Sequence, residues 1–279
     1  MRFTKMQGIG NDFVVVNCLA ESLPEERLSD ISRKACNRKF GVGADGLILV
    51  MPSKVSDYKM RMFNPDGSES EMCGNGIRCF ARYLWDRKMI TEPQVKVDTQ
   101  DGIKFIKLLT RSGRVEGIRV DMGQPKLLRS EIPMRGDDNG KVINEALKAD
   151  GSRFEITAVN MGNPHVVIFM DNLDSFAIER FGPQIENHKA FPQRTNVQFV
   201  QVCSNSEIML RTWERGAGVT LACGTGACAS VVAGAMTNRT GKRVNVHLRG
   251  GDLVIEWTGD NRVMMTGPAD EVFEGDLPV

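Results

Sequence analysis

A chain of 279 residues can bury a substantial core in one large or two ordinary domains, and two are expected. Its 36 Lys+Arg and 35 Asp+Glu are interspersed, leaving no basic stripe for nucleic acid and no acidic tail, so a small-molecule partner is the default. The opening MRFTKMQGIGNDF lacks the apolar run of a signal peptide and no later segment approaches a membrane span, so a cytosolic protein without membrane contact is expected.

In chain order, short apolar or β-branched runs bounded by Gly, Pro, Asp or Asn predict strands over 13–16, 47–51, 58–63, 95–97, 103–109 and 115–120. Residues 24–38 carry Leu28, Ile31 and Ala35 on one face and charges on the other, an amphipathic helix lying on the surface. A second helix follows Cys73, with Ile77, Phe80, Ala81, Leu84 and Trp85 opposite Arg78, Arg82 and Asp86. A boundary is expected near Gly123-Gln124-Pro125, followed by a turn-rich surface excursion around 136–140. Further strands are predicted over 154–159, 165–169, 197–202, 208–213, 244–248, 253–257 and 263–266. The helix after Cys223 is apolar nearly all round from Ala227 to Ala233 and should be buried. The halves are thus 1–122 and 123–262, with 263–279 able to pack on either.

The two halves look like copies of one fold. Cys73-Gly74-Asn75-Gly76 and Cys223-Gly224-Thr225-Gly226 lie 150 positions apart. Lys59 to Asn64 faces Met209 to Glu214 at the same offset, and Gly10-Asn11-Asp12-Phe13 faces Gly162-Asn163-Pro164-His165 at 152. A helix start presents backbone N–H groups and a dipole that favours anions, and glycines let a ligand come close, so each motif resembles a cradle for carboxylate or phosphate. A cysteine there has its thiolate stabilised. Either motif alone reads most simply as a buried cysteine in a turn; the repetition favours chemistry, because a duplicated core cysteine needs neither the glycines nor the helix start. Cys79 and Cys228 point into helices and read as packing. If the copies face each other, two thiols flanking a carboxylate-bearing ligand could pass a proton from one face of the neighbouring carbon to the other.

These residues resemble the diaminopimelate epimerase family, which works without pyridoxal phosphate. The match runs through Gly10-Asn11-Asp12-Phe13, Gly41-Val42-Gly43-Ala44-Asp45-Gly46, Phe63 to Ser68, Met72 to Cys79, Gly162-Asn163-Pro164-His165, Arg194-Thr195-Asn196-Val197, Trp213-Glu214-Arg215-Gly216 and Ala222 to Gly226. The resemblance implies an α+β fold of two pseudo-symmetric, internally duplicated domains, each a barrel-like mixed β-sheet around a central helix, with the active site in the cleft between them. It implies that Cys73 and Cys223 are the acid/base pair interconverting LL- and meso-diaminopimelate, with no cofactor and no metal. It further implies that Asn11, Asn64, Asn163, Asn196, Glu214 and Arg215 contact substrate, that Gly74, Asn75, Gly224 and Thr225 hold the reacting carboxylate, and that the enzyme is a homodimer. His165 and Glu214 sit beside the catalytic pair in the family; tuning of the thiols and a structural role remain open for the histidine. Many relatives carry Gln where this chain has Gly46, so that side-chain contact is absent or supplied otherwise.

Other readings compete. Proline racemases and hydroxyproline epimerases share paired cysteines of the C-G-x-G kind, and the Glu214-Arg215 pair favours a substrate with two amino acid heads instead. A thiol redox or metal-binding interaction protein would use the seven cysteines, yet they form no C-x-x-C pair, and spacings of C-x5-C and C-x4-C fall outside common zinc patterns. The run GVGADG fits G-x-G-x-x-G but precedes a predicted strand rather than opening a helix, unlike a dinucleotide fingerprint.

Overall fold

The computed structural model describes residues 1–70, 73–136 and 140–279; Glu71, Met72 and three positions of the predicted turn-rich excursion, 137–139, lie outside the described residues. The chain forms two compact units, Met1–Asp121 with Thr266–Val279, and Met122–Met265. Each is a mixed sheet enclosing one buried helix, the α+β architecture expected.

In the first unit, β1 (Arg2–Gly8) and β2 (Asn11–Asn17) form a hairpin. The chain crosses through α1 (Leu28–Cys36) to β3 (Gly46–Met51), parallel to β2, and β4 (Tyr58–Phe63) returns antiparallel to β3. The two-residue β5 (Glu69–Ser70) pairs with β4, after which α2 (Gly74–Asp86) crosses to β6 (Gln94–Thr99), parallel to β4. An antiparallel meander through β7 (Gly102–Arg111) and β8 (Arg114–Asp121) completes the first pass.

The second unit repeats that order. Strand β9 (Glu145–Ala149) pairs with β10 (Ser152–Asn160), which forms a hairpin with β11 (Pro164–Phe169). Helix α3 (Ile178–Glu186) crosses to β12 (Asn196–Ser204), parallel to β11, and β13 (Glu207–Glu214) returns antiparallel with the short β14 (Gly218–Thr220) at its side. Helix α4 (Gly224–Met236) then crosses to β15 (Arg243–Leu248), which pairs with β16 (Gly251–Trp257), and β17 (Val263–Gly267) follows. The last strand, β18 (Asp270–Asp276), lies antiparallel to β1, as β9 lies beside β10. The C-terminal segment therefore completes the first unit.

Burial follows the sequence pattern closely in the central helices. Ile77, Phe80, Ala81 and Leu84 of α2 are fully buried, and so is every residue of α4 from Gly226 to Gly234. The surface helix is shorter than its 24–38 pattern, a 3-10 turn over Glu25–Arg27 preceding α1, and Leu28, Ile31 and Ala35 face the core. Arg78, which the pattern puts on the polar face of α2, is completely buried: its Nε donates to Pro268 O and its Nη1 to Gly74 O, each at 3.1 Å. The Pro268 peptide oxygen just before β18 thus helps to hold a cation inside the unit.

Removing residues 268–279 takes away the acceptor of Arg78 Nε and the neighbour of β1. Because an unsatisfied buried donor costs about 1–3 kcal/mol and charged groups more, the truncated chain is expected to lose about 3 kcal/mol or more in urea unfolding. An unchanged midpoint would show that this segment does not complete the unit.

Candidate active site

In the first unit Cys73 sits immediately before α2 in extended conformation (φ −133°, ψ 119°), and its Sγ accepts from Gly76 N at 3.5 Å. It is half-buried. As a thiol it donates to Asn11 Oδ1 at 3.6 Å, which also accepts from Asn75 Nδ2 at 3.2 Å. Asn11 Nδ2 in turn donates to Asp45 Oδ2 at 2.6 Å. Behind this amide pair lies a charged cluster, with Asp12 bound by Lys5 and Arg38 at 2.7 Å each and Arg38 also reaching Asp45 at 2.7 Å. Burial alone would raise the Asp12 carboxyl, but the bonds from Arg38 and Lys5 outweigh it and hold the pKa down to about 2. Asn64 is tied into the turn after β4, its Nδ2 donating to Ser68 Oγ at 3.0 Å. At Gly46 an added Cβ would lie 2.9 Å from Met62 Cε and 3.1 Å from Phe63 O, so a longer side chain there requires the methionine to turn away.

In the second unit Cys223 makes the same cap on α4 (φ −129°, ψ 107°), its Sγ accepting from Gly226 N at 3.4 Å and lying 3.6 Å from Thr225 Oγ1. Only 4% of it is exposed. Burial first, and then the Glu214 carboxylate, push its thiol well above the ordinary range; Thr225 and the Gly226 N–H offset this in part. Arg215 N donates to Asn196 Oδ1 at 3.0 Å, Asn196 Nδ2 to Pro164 O at 2.9 Å, and Arg215 Nη1 to Gln193 O at 3.0 Å. Asn196 is thereby a tie between the start of β11 and the turn that carries Arg215.

His165 is fully buried, and desolvation, helped by the Arg215 charge, lowers its pKa from 6.5 to about 3. The imidazole is neutral, and its tautomer follows from its neighbours. Thr212 Oγ1 donates to Gln198 Oε1 at 2.6 Å, which turns Gln198 Nε2 toward His165 Nδ1 at 3.2 Å. Nδ1 must then accept, leaving Nε2–H to donate to Asn163 Oδ1 at 2.7 Å. The histidine therefore orients the Asn163 amide.

Beneath the two helix starts the duplicated frame carries different chemistry. A Cβ on Gly76 would meet Ile48 Cδ1 at 3.2 Å and Met60 Cε at 3.5 Å, whereas one on Gly226 would lie 2.6 Å from the Gln198 amide. Ile48 pairs with Val15 and Met62, and Gln198 in the same register with Val167 and Thr212. One start rests on methyl groups, the other on the Thr212–Gln198–His165–Asn163 chain. The cluster of Asp12, Asp45, Lys5 and Arg38, the Gln198 link and the buried Glu186 of α3 escape sequence reasoning. Asp12 and Asp45 lie within the Gly10–Phe13 and Gly41–Gly46 motifs, but nothing in one sequence shows that they pair with the same arginine. Among the described residues no group of three or more His, Cys, Asp or Glu is arranged to hold a metal ion.

The family described as Diaminopimelate epimerase matches residues 3–128 and 157–272. The chain is 54% identical over 278 residues to the diaminopimelate epimerase of Pelotomaculum thermopropionicum, covering 100% of this chain and 99% of that one. It is 52% identical to that of Moorella thermoacetica, covering 100% of both. Among solved structures, a PhzF-family phenazine biosynthesis protein of Bacillus anthracis superposes with a TM-score of 0.73 at 19% identity, covering 100% of this chain and 99% of the other. A probable proline racemase from Agrobacterium radiobacter K84 gives 0.73 at 14% identity, covering 100% and 93%. These two likenesses concern the fold alone. With both segments of the family pattern in place and half of all residues shared across the full length, the chain belongs to the diaminopimelate epimerase family.

Proposed function

We propose that this chain interconverts LL- and meso-2,6-diaminopimelate by moving the proton at one α-carbon between two cysteines, without a cofactor. The observation that carries this reading is the repeated cap: Cys73 and Cys223 each precede a buried helix and each takes a hydrogen bond from the third helical N–H, at 3.5 and 3.4 Å. The first N–H groups of each helix, from Gly74 and Asn75 and from Gly224 and Thr225, are suited to the carboxylate beside the reacting carbon. One sulfur, as thiolate, takes the α-proton while the other, as thiol, delivers a proton to the opposite face. One C–H bond breaks, another forms, and the two sulfurs exchange protonation states. The charge that builds on the carboxylate is met by backbone N–H groups and helix dipoles. Burial and Glu214 push the Cys223 thiol up, which favours its protonated form. The scheme requires both sulfurs at the same α-carbon.

The substrate's second amino acid head needs a cation for its carboxylate and acceptors for its ammonium, which Arg215 and Glu214 supply. Asn11, Asn64 and Asn163 contribute amide groups at half-buried positions, with the Asn163 carbonyl already committed to His165 and Asn196 acting through the Arg215 backbone. The buried Asn75 Oδ1 has no partner among the described residues, the kind of acceptor a substrate ammonium would satisfy. His165 is neutral at working pH and serves as a positioning group. In this reading each unit is one half of the enzyme, which works in the cytosol as a homodimer in lysine and cell-wall precursor biosynthesis. Proline racemase chemistry is the second reading, favoured by the shared fold of the Agrobacterium protein.

The reduced protein, incubated with LL-diaminopimelate in heavy water without pyridoxal phosphate, is expected to place deuterium at the α position and to leave proline unlabelled. Cys73→Ala and Cys223→Ala should each lower turnover by about 10²–10⁴ or more, the usual contribution of a positioned acid or base. Wild-type turnover in either variant would refute the two-base scheme. A separate expectation follows from His165. Its folded pKa, about 3, lies below its unfolded value of 6.5, so its contribution to stability is complete above pH 6.5 and is lost as pH falls toward 3, because the unfolded chain binds the proton first. At pH 5 the stability of His165→Gln should fall with decreasing pH less steeply than wild type, by about 1.4 kcal/mol per pH unit for the one proton. Equal slopes would mean the histidine is not held neutral.

A further inference from the structure

Glu186, the last residue of α3, is 5% exposed and uses both carboxylate oxygens. Oε1 accepts from Gly216 N at 2.9 Å and pairs with Arg194 Nη1 at 3.1 Å; Oε2 accepts from Trp213 Nε1 at 2.7 Å. Its peptide oxygen accepts from Thr195 N at 3.2 Å. A single side chain therefore grips the stretch 213–216 on both sides of Glu214 and Arg215, and its backbone grips the segment leading to Asn196, which itself accepts from Arg215 N. Gly182, one helical turn earlier, brings α3 so close that a Cβ would stand 2.5 Å from the Trp213 ring, which fixes the direction of the indole N–H. Gly216 in the turn takes left-handed backbone freely (φ 80°), and Arg194 in the neighbouring segment takes it too (φ 58°), a conformation that persists in a non-glycine residue where surrounding bonds impose it. Arg215 itself is exposed, so the placement of its guanidinium depends on how firmly its backbone is held.

We propose that Glu186 is a positioning residue for recognition of the second amino acid head: it sets the turn so that Arg215 and Glu214 meet the far carboxylate and ammonium without an ordering cost at binding. The inference rests on the substrate reading above. The chemistry is specific to a carboxylate. Donors approach both oxygens, so an amide of the same shape must point its NH₂ at one of them.

That conflict supplies the test. Glu186→Gln is expected to raise KM for LL-diaminopimelate at least tenfold while kcat stays within threefold, and Trp213→Phe to leave both within threefold of wild type. In E186Q/W213F the indole donor is gone, so the amide can turn its NH₂ there and accept from Gly216 N again, and KM should return to within threefold of W213F. Amide hydrogen exchange at Gly216, measured without substrate, should speed up in E186Q and slow again in the double variant. Unchanged KM in E186Q, a loss confined to kcat, or no recovery in the double variant would overturn the assignment. Should E186Q give no folded protein, E186D, a methylene too short to reach Gly216 N from α3, is expected to show the same rise in KM and the same faster exchange. If wild type does not turn over diaminopimelate, the substrate reading fails, while the exchange pattern still decides whether Glu186 holds the turn.

Discussion

The hydrogen bond from the third N–H of a buried helix to a cysteine sulfur, made once in each unit, is the contact on which the candidate site depends. It places sulfur at the positive end of a helix dipole and leaves the first N–H groups for an anion. The bond requires a cysteine at the cap and close packing behind the third residue. Ile48 against Gly76 and Gln198 against Gly226 show why that residue is glycine: the sheet comes too near for a Cβ without rearrangement. Cap, glycine and sheet strand form one arrangement, and changing any of them moves the sulfur.

Around that shared frame the units have diverged. The first helix start lies on methyl groups with a charged cluster behind Asn11, and the second on a chain of polar side chains ending at Asn163. Glu214 adds a negative charge near Cys223. A pair of identical thiols in identical surroundings would have no preference for which carries the proton. The two thiols stand in unequal environments, which in the proposed two-base scheme would give proton transfer a direction.

The turn that carries Glu214 and Arg215 is held in layers. Arg215 and Glu214 stand in a motif visible in the sequence, but what holds them is a carboxylate on α3, some thirty positions earlier, and an asparagine amide. Helix α3 itself is hidden from pattern reading because Gly182-Pro183 looks like a break, and Pro in a helix interior forfeits a backbone bond. Strand β1 is hidden for a related reason: Lys5 is buried in it, and its ion pair with Asp12 and its bond to Gly43 O make that tolerable. Strands β9 and β18 also go unread, since β18 is acidic and mostly exposed and β9 follows a turn-rich stretch.

By itself the sequence determined the duplication, most strands, the two central helices and the paired cysteines, because each is a local signal: a period, a cap, or a motif repeated at a fixed offset. Cys73 and Cys223 were legible for that reason, as were the glycines behind them. Only the tertiary structure decided that the C-terminal strand completes the first unit and that Arg78 is buried. It also decided that His165 is a neutral link and that Glu186 grips the turn at Arg215. Those outcomes depend on which groups far apart in the chain come within hydrogen-bonding distance, and no periodicity in a single sequence encodes such a meeting.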